Sequence, residues 1–269
     1  MTPPRVMGIV NVTPDSFSDG GRHHKASAAI AHGLALLADG ADMLDIGGES
    51  TRPGAAPVSE TDELRRVIPV IEALRTRSAA PISIDTMKPA VARAAVAAGA
   101  TIWNDVAALR GEGAAETAAE LGCEVVLMHM LGEPRTMQDD PRYQDVVGEV
   151  EAFLLGRAEA AMAAGVARER IWLDPGIGFG KTPVHNLALI TALPRLVGSG
   201  FPILLGASRK RFIAAIDPLA SQAGQRLGGS LAVALEGVRA GVAAVRVHDV
   251  RETVQALAVQ AALASASAR

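Results

Sequence analysis

Cysteine is nearly absent from this chain: Cys123 is the only one in 269 residues. A lone thiol excludes an internal disulfide framework and fits a reducing compartment. A charge excess of either sign is missing as well. The formal net charge is −3, and no lysine/arginine block stands out, Arg209-Lys210-Arg211 being too short. That balance argues against a nucleic-acid protein, which usually carries a basic patch. No apolar run approaches the length of a membrane span. Met1-Thr2-Pro3-Pro4-Arg5 lacks the basic-then-apolar layout of a signal peptide. A soluble, cytoplasmic protein is expected. A zinc site is not, because His23 and His24 are adjacent rather than at chelating spacing and no Cys/His cluster occurs.

What is present is apolar bulk in a regular order. Apolar residues make up 49% of the chain, enough for a sizeable core. Short β-like runs near 5–11, 42–46, 82–85, 101–104, 124–128, 171–174, 202–206 and 244–248 alternate with helical patterns. Ile30, Leu34 and Leu37 predict one helix face; Leu64, Val67, Ile68, Ile71 and Leu74 predict another. Leu189, Leu193 and Leu196 repeat the spacing, as do Val250, Val254 and Leu257. Thr182-Pro183 reads as an N-cap followed by an N1 proline. Gly40, Gly99, Gly122, Gly165, Gly200 and Gly241 each stand just before a strand, where helix C-terminal glycines belong. Eight alternations with apolar, two-sided strands imply a parallel sheet, and eight is the number that closes a barrel. The alternative is an open doubly wound sheet. The favoured reading is an α/β fold, a (β/α)8 TIM barrel forming one domain over residues 1–269, with its site at the C-terminal ends of the strands.

Seven of the apolar runs lead into polar residues: Asn11, Asp45, Asp85, Asn104, Asp174, Lys210, and the pair Arg246 and His248. In such barrels chemistry sits at the strand C-termini. Carboxylates buried there cost several kcal/mol unless partnered. Asp85 and Asp174 with Asn104 offer acceptors and donors to the edge of a heterocycle such as a pterin or purine. Lys210 suits a ring carbonyl. Arg246 suits stacking on a flat ring, although a salt bridge within the barrel is the competing reading. Arg246 and His248, with Asn11 across the barrel closure, suit an anion such as a diphosphate. Magnesium held mainly by substrate phosphates is compatible with Asn11. The stretch Asp174–Pro183 fails the Walker spacing, since three residues rather than four separate Gly176 from Gly180. It reads instead as a tight turn whose glycines let a flat ligand approach the backbone, with Phe179 as a wall. Met128 should be a further apolar wall, and Cys123 structural.

Two long loop motifs carry a family resemblance. Asn11-Val12-Thr13-Pro14-Asp15-Ser16-Phe17-Ser18-Asp19-Gly20-Gly21 resembles the first signature of dihydropteroate synthases. Asp45-Ile46-Gly47-Gly48-Glu49-Ser50-Thr51-Arg52-Pro53-Gly54 resembles the second. Ile84-Asp85-Thr86, Trp103-Asn104-Asp105, Leu127-Met128-His129-Met130, Leu173-Asp174-Pro175-Gly176, Gly206-Ala207-Ser208-Arg209-Lys210 and Arg246-Val247-His248-Asp249 follow in family order, over about residues 5–260. Trp103 departs from the pattern, where a smaller apolar residue is expected.

The resemblance implies a transferase that joins 6-hydroxymethyl-7,8-dihydropterin diphosphate to 4-aminobenzoate, with Mg2+, as a homodimer. It implies pterin binding by Asp85, Asn104, Met128, Asp174, Phe179, Lys210 and Arg246. Asn11, Arg246 and His248 would take the diphosphate, with the metal at Asn11. Phe17, Thr51, Arg52, Pro53, Phe179 and Ser208 would form the aminobenzoate pocket, and Asp85, Lys210, Arg246 and Arg52 the catalytic set. Loops 12–25 and 48–58, rich in Gly, Ser, Thr and Pro, are expected to be mobile when empty and to close over substrate. A methyl-transfer barrel that binds methyltetrahydrofolate would share the pterin-edge residues but have no use for the diphosphate group or Thr51-Arg52-Pro53. A non-catalytic pterin-binding paralogue should lack one of Asn11, Arg52, Lys210, Arg246 or His248, and all are present. A Schiff-base aldolase would need a strongly lowered Lys210 pKa.

Overall fold

The computed structural model describes residues 4–13, 22–51 and 54–267. The side chains of residues 22–25 and 267 are outside that description. Eight parallel strands form one sheet: β1 (Arg5–Asn11), β2 (Met43–Gly47), β3 (Ile82–Asp85), β4 (Ile102–Asp105), β5 (Glu124–Met128), β6 (Ile171–Asp174), β7 (Leu204–Leu205) and β8 (Ala244–Val247). Their order is β6-β5-β4-β3-β2-β1-β8-β7. A parallel bridge from Leu173 to Ile203 joins the two ends and closes the barrel. The doubly wound alternative is thereby excluded. β7 is shorter than the expected 202–206 because Pro202 has no N–H for the ladder; its carbonyl still accepts from Leu173 N at 2.9 Å.

Helices wrap the barrel: α1 (Arg22–Ala38), α2 (Glu60–Arg75), α3 (Pro89–Ala97), α4 (Ala114–Leu121), α5 (Val146–Ala163), α6 (Pro183–Thr191), α7 (Leu193–Val197), α8 (Arg211–Ile216), α9 (Leu227–Ala240) and α10 (Val250–Ser267). The caps follow the sequence. Thr182 accepts from His185 N with Pro183 at N1, and all six expected C-terminal glycines have positive φ, from 58° to 112°. The helix faces are rotated slightly from the periodicity. In α1 the buried stripe is Ala29, Gly33 and Leu36, with Ile30, Leu34 and Leu37 on its flank. Small residues set the line of closest approach: a Cβ on Gly33 would stand 3.1 Å from Leu74 and 3.2 Å from Leu44. The buried stripe of α2 likewise includes Glu63, a fully buried carboxylate, beside Val67, Val70, Ile71 and Leu74. The segment 207–227, between β7 and α9, contains α8 and a short 3-10 turn at Ala223–Arg226.

Strand alternation divides the interior into layers. Towards the N-terminal end Met7, Met43, Ile102, Val126, Trp172, Leu204 and Ala244, from seven different strands, form one apolar cluster inside the barrel. Trp172 Nε1 donates to Glu124 Oε2 at 2.6 Å, and the Arg5 guanidinium covers the indole at 4.5 Å. Outward residues pack into a separate, larger core beneath the helices. Trp103 belongs there. It is fully buried, and its indole N–H donates to Thr86 O at 2.8 Å, so this departure from the family pattern is absorbed between barrel and helices.

Candidate active site

Above the apolar layer the inward positions become polar. Asp85 and Asp174 end β3 and β6, and Asn104 is the penultimate residue of β4. Asp45 is not a strand end. β2 runs on to Gly47, and Asp45 pairs in register with Ile9 and Ser83, one layer below the Gly47–Asp85 pair. This fully buried carboxylate organises the site: Arg246 Nε donates to its Oδ2 at 2.5 Å and Asn104 Nδ2 donates to the same atom at 3.3 Å. The second Asp45 oxygen has no partner among the described residues.

Arg246 also donates from Nη2 to Asp85 Oδ2 at 3.0 Å. The salt bridge within the barrel is therefore real, and it does not exclude stacking. In-plane bonds occupy the edge of the guanidinium and fix its plane, leaving the flat faces for a ring. Burial works against the Arg246 charge, and Asp45 and Asp85 more than offset it, holding its pKa above the ordinary value. Asp85 is pushed up to about 7, first by burial and then by Asp45, with Arg246 opposing. Asp174 is pushed up to about 6 by burial.

The remaining bonds decide which atoms face the mouth. Asn104 spends its amide N–H on Asp45, which leaves its oxygen as an acceptor. Asp174 Oδ1 accepts from Gly176 N at 2.7 Å, and its Oδ2 faces the inward gap at Gly206. Gly47 leaves a second inward gap, beside Asn11 Oδ1 and Asp85. The mouth thus combines space with three oxygen acceptors, a pattern that matches a flat ligand whose edge carries several N–H donors. Lys210 Nζ lies 3.9 Å over the Phe179 ring, on the rim of the same opening. Met128 and Phe179 pack with Val106, Met130 and Met137 into an apolar cluster bordering it.

His248 follows the end of β8. Ser208 Oγ lies 3.0 Å from its Nδ1 and accepts from its backbone N–H at 3.2 Å. With that backbone donor in place, the hydroxyl proton is available to Nδ1, which leaves Nε2 carrying the ring proton. Burial and then Arg246 lower the His248 pKa to about 3, so it is a neutral donor rather than a cation. Arg209 is left-handed, at φ 58°, and grips Asp249 through Nε at 3.0 Å and Nη2 at 2.5 Å. Asn11 ends β1, and Thr51 is half-buried in the loop after β2. Phe17, Arg52 and Pro53 lie outside the described residues, as do residues 14–21 of the first signature loop.

Two glycines of the β6–α6 loop serve packing against the neighbouring loop, and the third, Gly178, stands against the Lys210 side chain. Gly176, Gly178 and Gly180 have φ of 65°, 83° and 63°. A Cβ on Gly176 would fall 1.9 Å from His129 O, and one on Gly180 2.7 Å from Leu131 Cβ. The loop is clamped to the β5–α5 loop by Lys181, which the sequence reading passed over. This buried lysine donates to His129 Nδ1 at 2.8 Å, Phe179 O at 3.0 Å and His129 O at 3.3 Å. Burial lowers Lys181 to about 7, and burial with the Lys181 charge lowers His129 to about 3, keeping the imidazole an acceptor. Arg226, also missed, is a buried cation bonded to Ala220 O, Arg209 O and Ser221 O, and it fixes the segment that carries Ser208 to Lys210. Lys181 is signalled by a lysine inside a glycine-rich loop; nothing in the sequence around Arg226 marks it.

A parallel barrel with a buried charge cluster and an acceptor-lined mouth defines a class that binds small ligands at the strand ends. The family model described as pterin binding enzyme matches residues 7–248. Dihydropteroate synthase of Escherichia coli K12 is 48% identical over 263 residues, covering 98% of this chain and 93% of the relative. The structure of Xanthomonas albilineans dihydropteroate synthase with 4-aminobenzoic acid superposes with a TM-score of 0.92 at 54% identity, covering 97% of this chain and 93% of that one. The enzyme from the same organism in complex with 7,8-dihydropteroate gives 0.89 at 51%, covering 97% and 94%. The chain belongs to the dihydropteroate synthase family of pterin-binding enzymes.

Proposed function

We propose that this chain joins 6-hydroxymethyl-7,8-dihydropterin diphosphate to 4-aminobenzoate, releasing 7,8-dihydropteroate and diphosphate. The observation that carries this reading is the buried cluster of Asp45, Asp85, Asn104 and Arg246 with Asp174 on the facing strand. It presents acceptors to a donor-rich heterocycle edge and a fixed guanidinium face to its ring. Asp85, Asn104 Oδ1 and Asp174 Oδ2 hold the pterin edge. Lys210 donates to the ring carbonyl, and Met128 and Phe179 wall the ring. Thr51, Arg52, Pro53, Phe17, Phe179 and Ser208 form the aminobenzoate pocket. Among the described residues no helix is long and apolar enough to cross a membrane. A cytoplasmic homodimer completes the reading.

In the reaction the arylamine nitrogen forms a bond to the pterin methylene carbon. The bond from that carbon to the diphosphate oxygen breaks, and the electron pair leaves with the diphosphate. The amine proton passes to solvent. A neutral arylamine needs no general base, so the work lies in stabilising the departing anion. Arg246 supplies charge and His248 a neutral N–H. Asp85 stabilises positive charge on the methylene where cleavage runs ahead of attack.

Among the described residues no group of three His, Cys, Asp or Glu side chains is arranged to hold a metal. Asn11 Oδ1, facing the gap at Gly47, suits a cation that brings most of its oxygen ligands with the substrate, as magnesium does. Magnesium bound there would neutralise the leaving diphosphate.

The test is diphosphate release from the dihydropterin diphosphate with magnesium, with and without 4-aminobenzoate, for wild type and Arg52→Ala. Release that depends on the arylamine, yields dihydropteroate and is lost in Arg52→Ala is expected. Tight pterin binding without product would instead identify a binding paralogue.

A further inference from the structure

One buried ion cluster lies beside the mouth and is not used by the reaction. Lys88 Nζ donates to Glu49 Oε2 at 2.5 Å and to Glu63 Oε2 at 2.6 Å. Glu63 is fully buried on α2, the Glu49 side chain is 10% exposed, and Lys88 is the N-cap residue of α3. Three chain segments therefore meet at one ammonium. Glu49 has a second task. Its Oε1 accepts from Val58 N at 2.9 Å, drawing together the two ends of the loop that contains Thr51. The base of that loop is seated as well: Arg66 Nη1 donates to Gly48 O at 2.8 Å, and a Cβ on Gly48 would stand 2.7 Å from Val67.

The other end of the cluster leads to the proposed pterin site. Lys88 lies three residues past Asp85. The intervening turn is fixed by Thr86 N donating to Asn104 O at 3.1 Å, Trp103 Nε1 donating to Thr86 O at 2.8 Å and Lys88 N donating to Thr86 Oγ1 at 3.2 Å. Asp85 and Asn104 are thus joined to the loop neck through a short stretch held by these hydrogen bonds. Two buried carboxylates sharing one cation cost more to assemble than apolar packing of the same volume. A helical N-cap and a loop base can be built without them, so the arrangement calls for a reason beyond stability.

We propose that Glu49 and Lys88 are positioning residues that fix the neck of loop 49–58 to the strand end holding the pterin, and so set the geometry of the arylamine pocket. The proposal rests on the synthase reading above. It makes arylamine recognition, not pterin recognition, the property sensitive to this cluster.

The lead variant is Glu49→Ala. It removes both the Val58 clamp and the Lys88 contact on the loop side while leaving Lys88 and Glu63 as a balanced pair, so the fold should persist. Its KM for 4-aminobenzoate should rise about tenfold, with KM for the pterin diphosphate within about twofold of wild type. Glu49→Gln keeps an acceptor for Val58 and should show a smaller rise, about threefold. Lys88→Arg should stay closer to wild type than Lys88→Gln, because the cation is retained. Amide exchange of Val58 should speed up in Glu49→Ala and be unchanged along β3. Equal rises in both KM values, or no rise in either, would overturn the proposal, as would unchanged exchange of the Val58 amide. A wild-type enzyme that makes no dihydropteroate would overturn the functional reading instead, and the exchange measurement would then decide the anchoring alone.

Discussion

The two ends of the barrel obey the same strand alternation and reach opposite chemical outcomes. At the N-terminal end the inward residues are apolar, and the polar groups present complete one another: the Trp172 indole on Glu124, with Arg5 above. At the C-terminal end the inward residues are Asp45, Asp85, Asn104, Asp174 and Arg246, and partners are in short supply. Among the described residues one buried Asp45 oxygen has no partner, and Asp85 and Asp174 are pushed towards their protonated forms. A closed end spends its polar groups on itself. An open end holds them for something else and is less stable for doing so. The same backbone plan thus separates stability from function along a single axis.

The sharpest way to break this contrast is Arg246→Ala. It leaves Asp45 and Asp85 buried without their cation and removes the proposed diphosphate and ring contact together. Activity should fall on the order of a thousandfold or more, and stability by about 3–5 kcal/mol in urea unfolding. If kcat/KM falls by less than about tenfold, the cluster is structural and the comparison collapses.

Trp172→Ala tests the other end. It empties a nearly buried side chain, 6% exposed, from the apolar layer, and stability should drop by about 3–5 kcal/mol. Well below the melting temperature, kcat/KM should stay within about threefold of wild type. A large loss of activity in a folded Trp172→Ala protein would show that the two ends are coupled.

Most of the barrel could be read from the chain, because strand and helix periodicities are local and the glycines that end helices are required by backbone conformation. The depth of the charged residues could not be read the same way. Asp45 looked like another strand end, and only its register opposite Ile9 and Ser83 places it a layer below Asp85. Register is a property of two strands, not of one. The same limit hid Glu63, whose burial depends on Lys88 arriving from α3, and Arg226, whose carbonyl partners come from two stretches, Arg209 and the adjacent pair Ala220 and Ser221. The packing of Gly176 and Gly180 is equally invisible along the chain, since their neighbours His129 and Leu131 come from a different loop. Charged residues whose partners lie far along the chain were the ones misread.

Asp174→Asn measures how much stability the mouth forgoes. The folded carboxyl titrates at about 6 against an ordinary 3.8, so the folded protein holds this proton more tightly than the unfolded chain. Its stabilising contribution is complete below about pH 4 and lost as pH rises through about 6, a difference of roughly 3 kcal/mol. The asparagine variant stays neutral and keeps an oxygen for Gly176 N. In unfolding experiments it should match wild type near pH 4 and exceed it near pH 8, while pterin binding weakens. Parallel pH–stability curves for the two proteins would mean that Asp174 is not strained by its burial.

The same change at the closed end should do little. Glu124→Gln keeps an oxygen for the Trp172 N–H and gives up only a 4.0 Å ion pair with Arg5, in which the two side chains are 40% and 37% exposed. A pair that wet is worth less than about 1 kcal/mol, so stability in urea unfolding should not move appreciably. Both substitutions turn a carboxylate into an amide, but Asp174 is buried and the Glu124 side chain is 37% exposed, so the closed end supplies the wet counterpart. A Glu124→Gln protein destabilised as strongly as Trp172→Ala would show that the Glu124 charge, and not only its hydrogen bond to the indole, holds the closed end together.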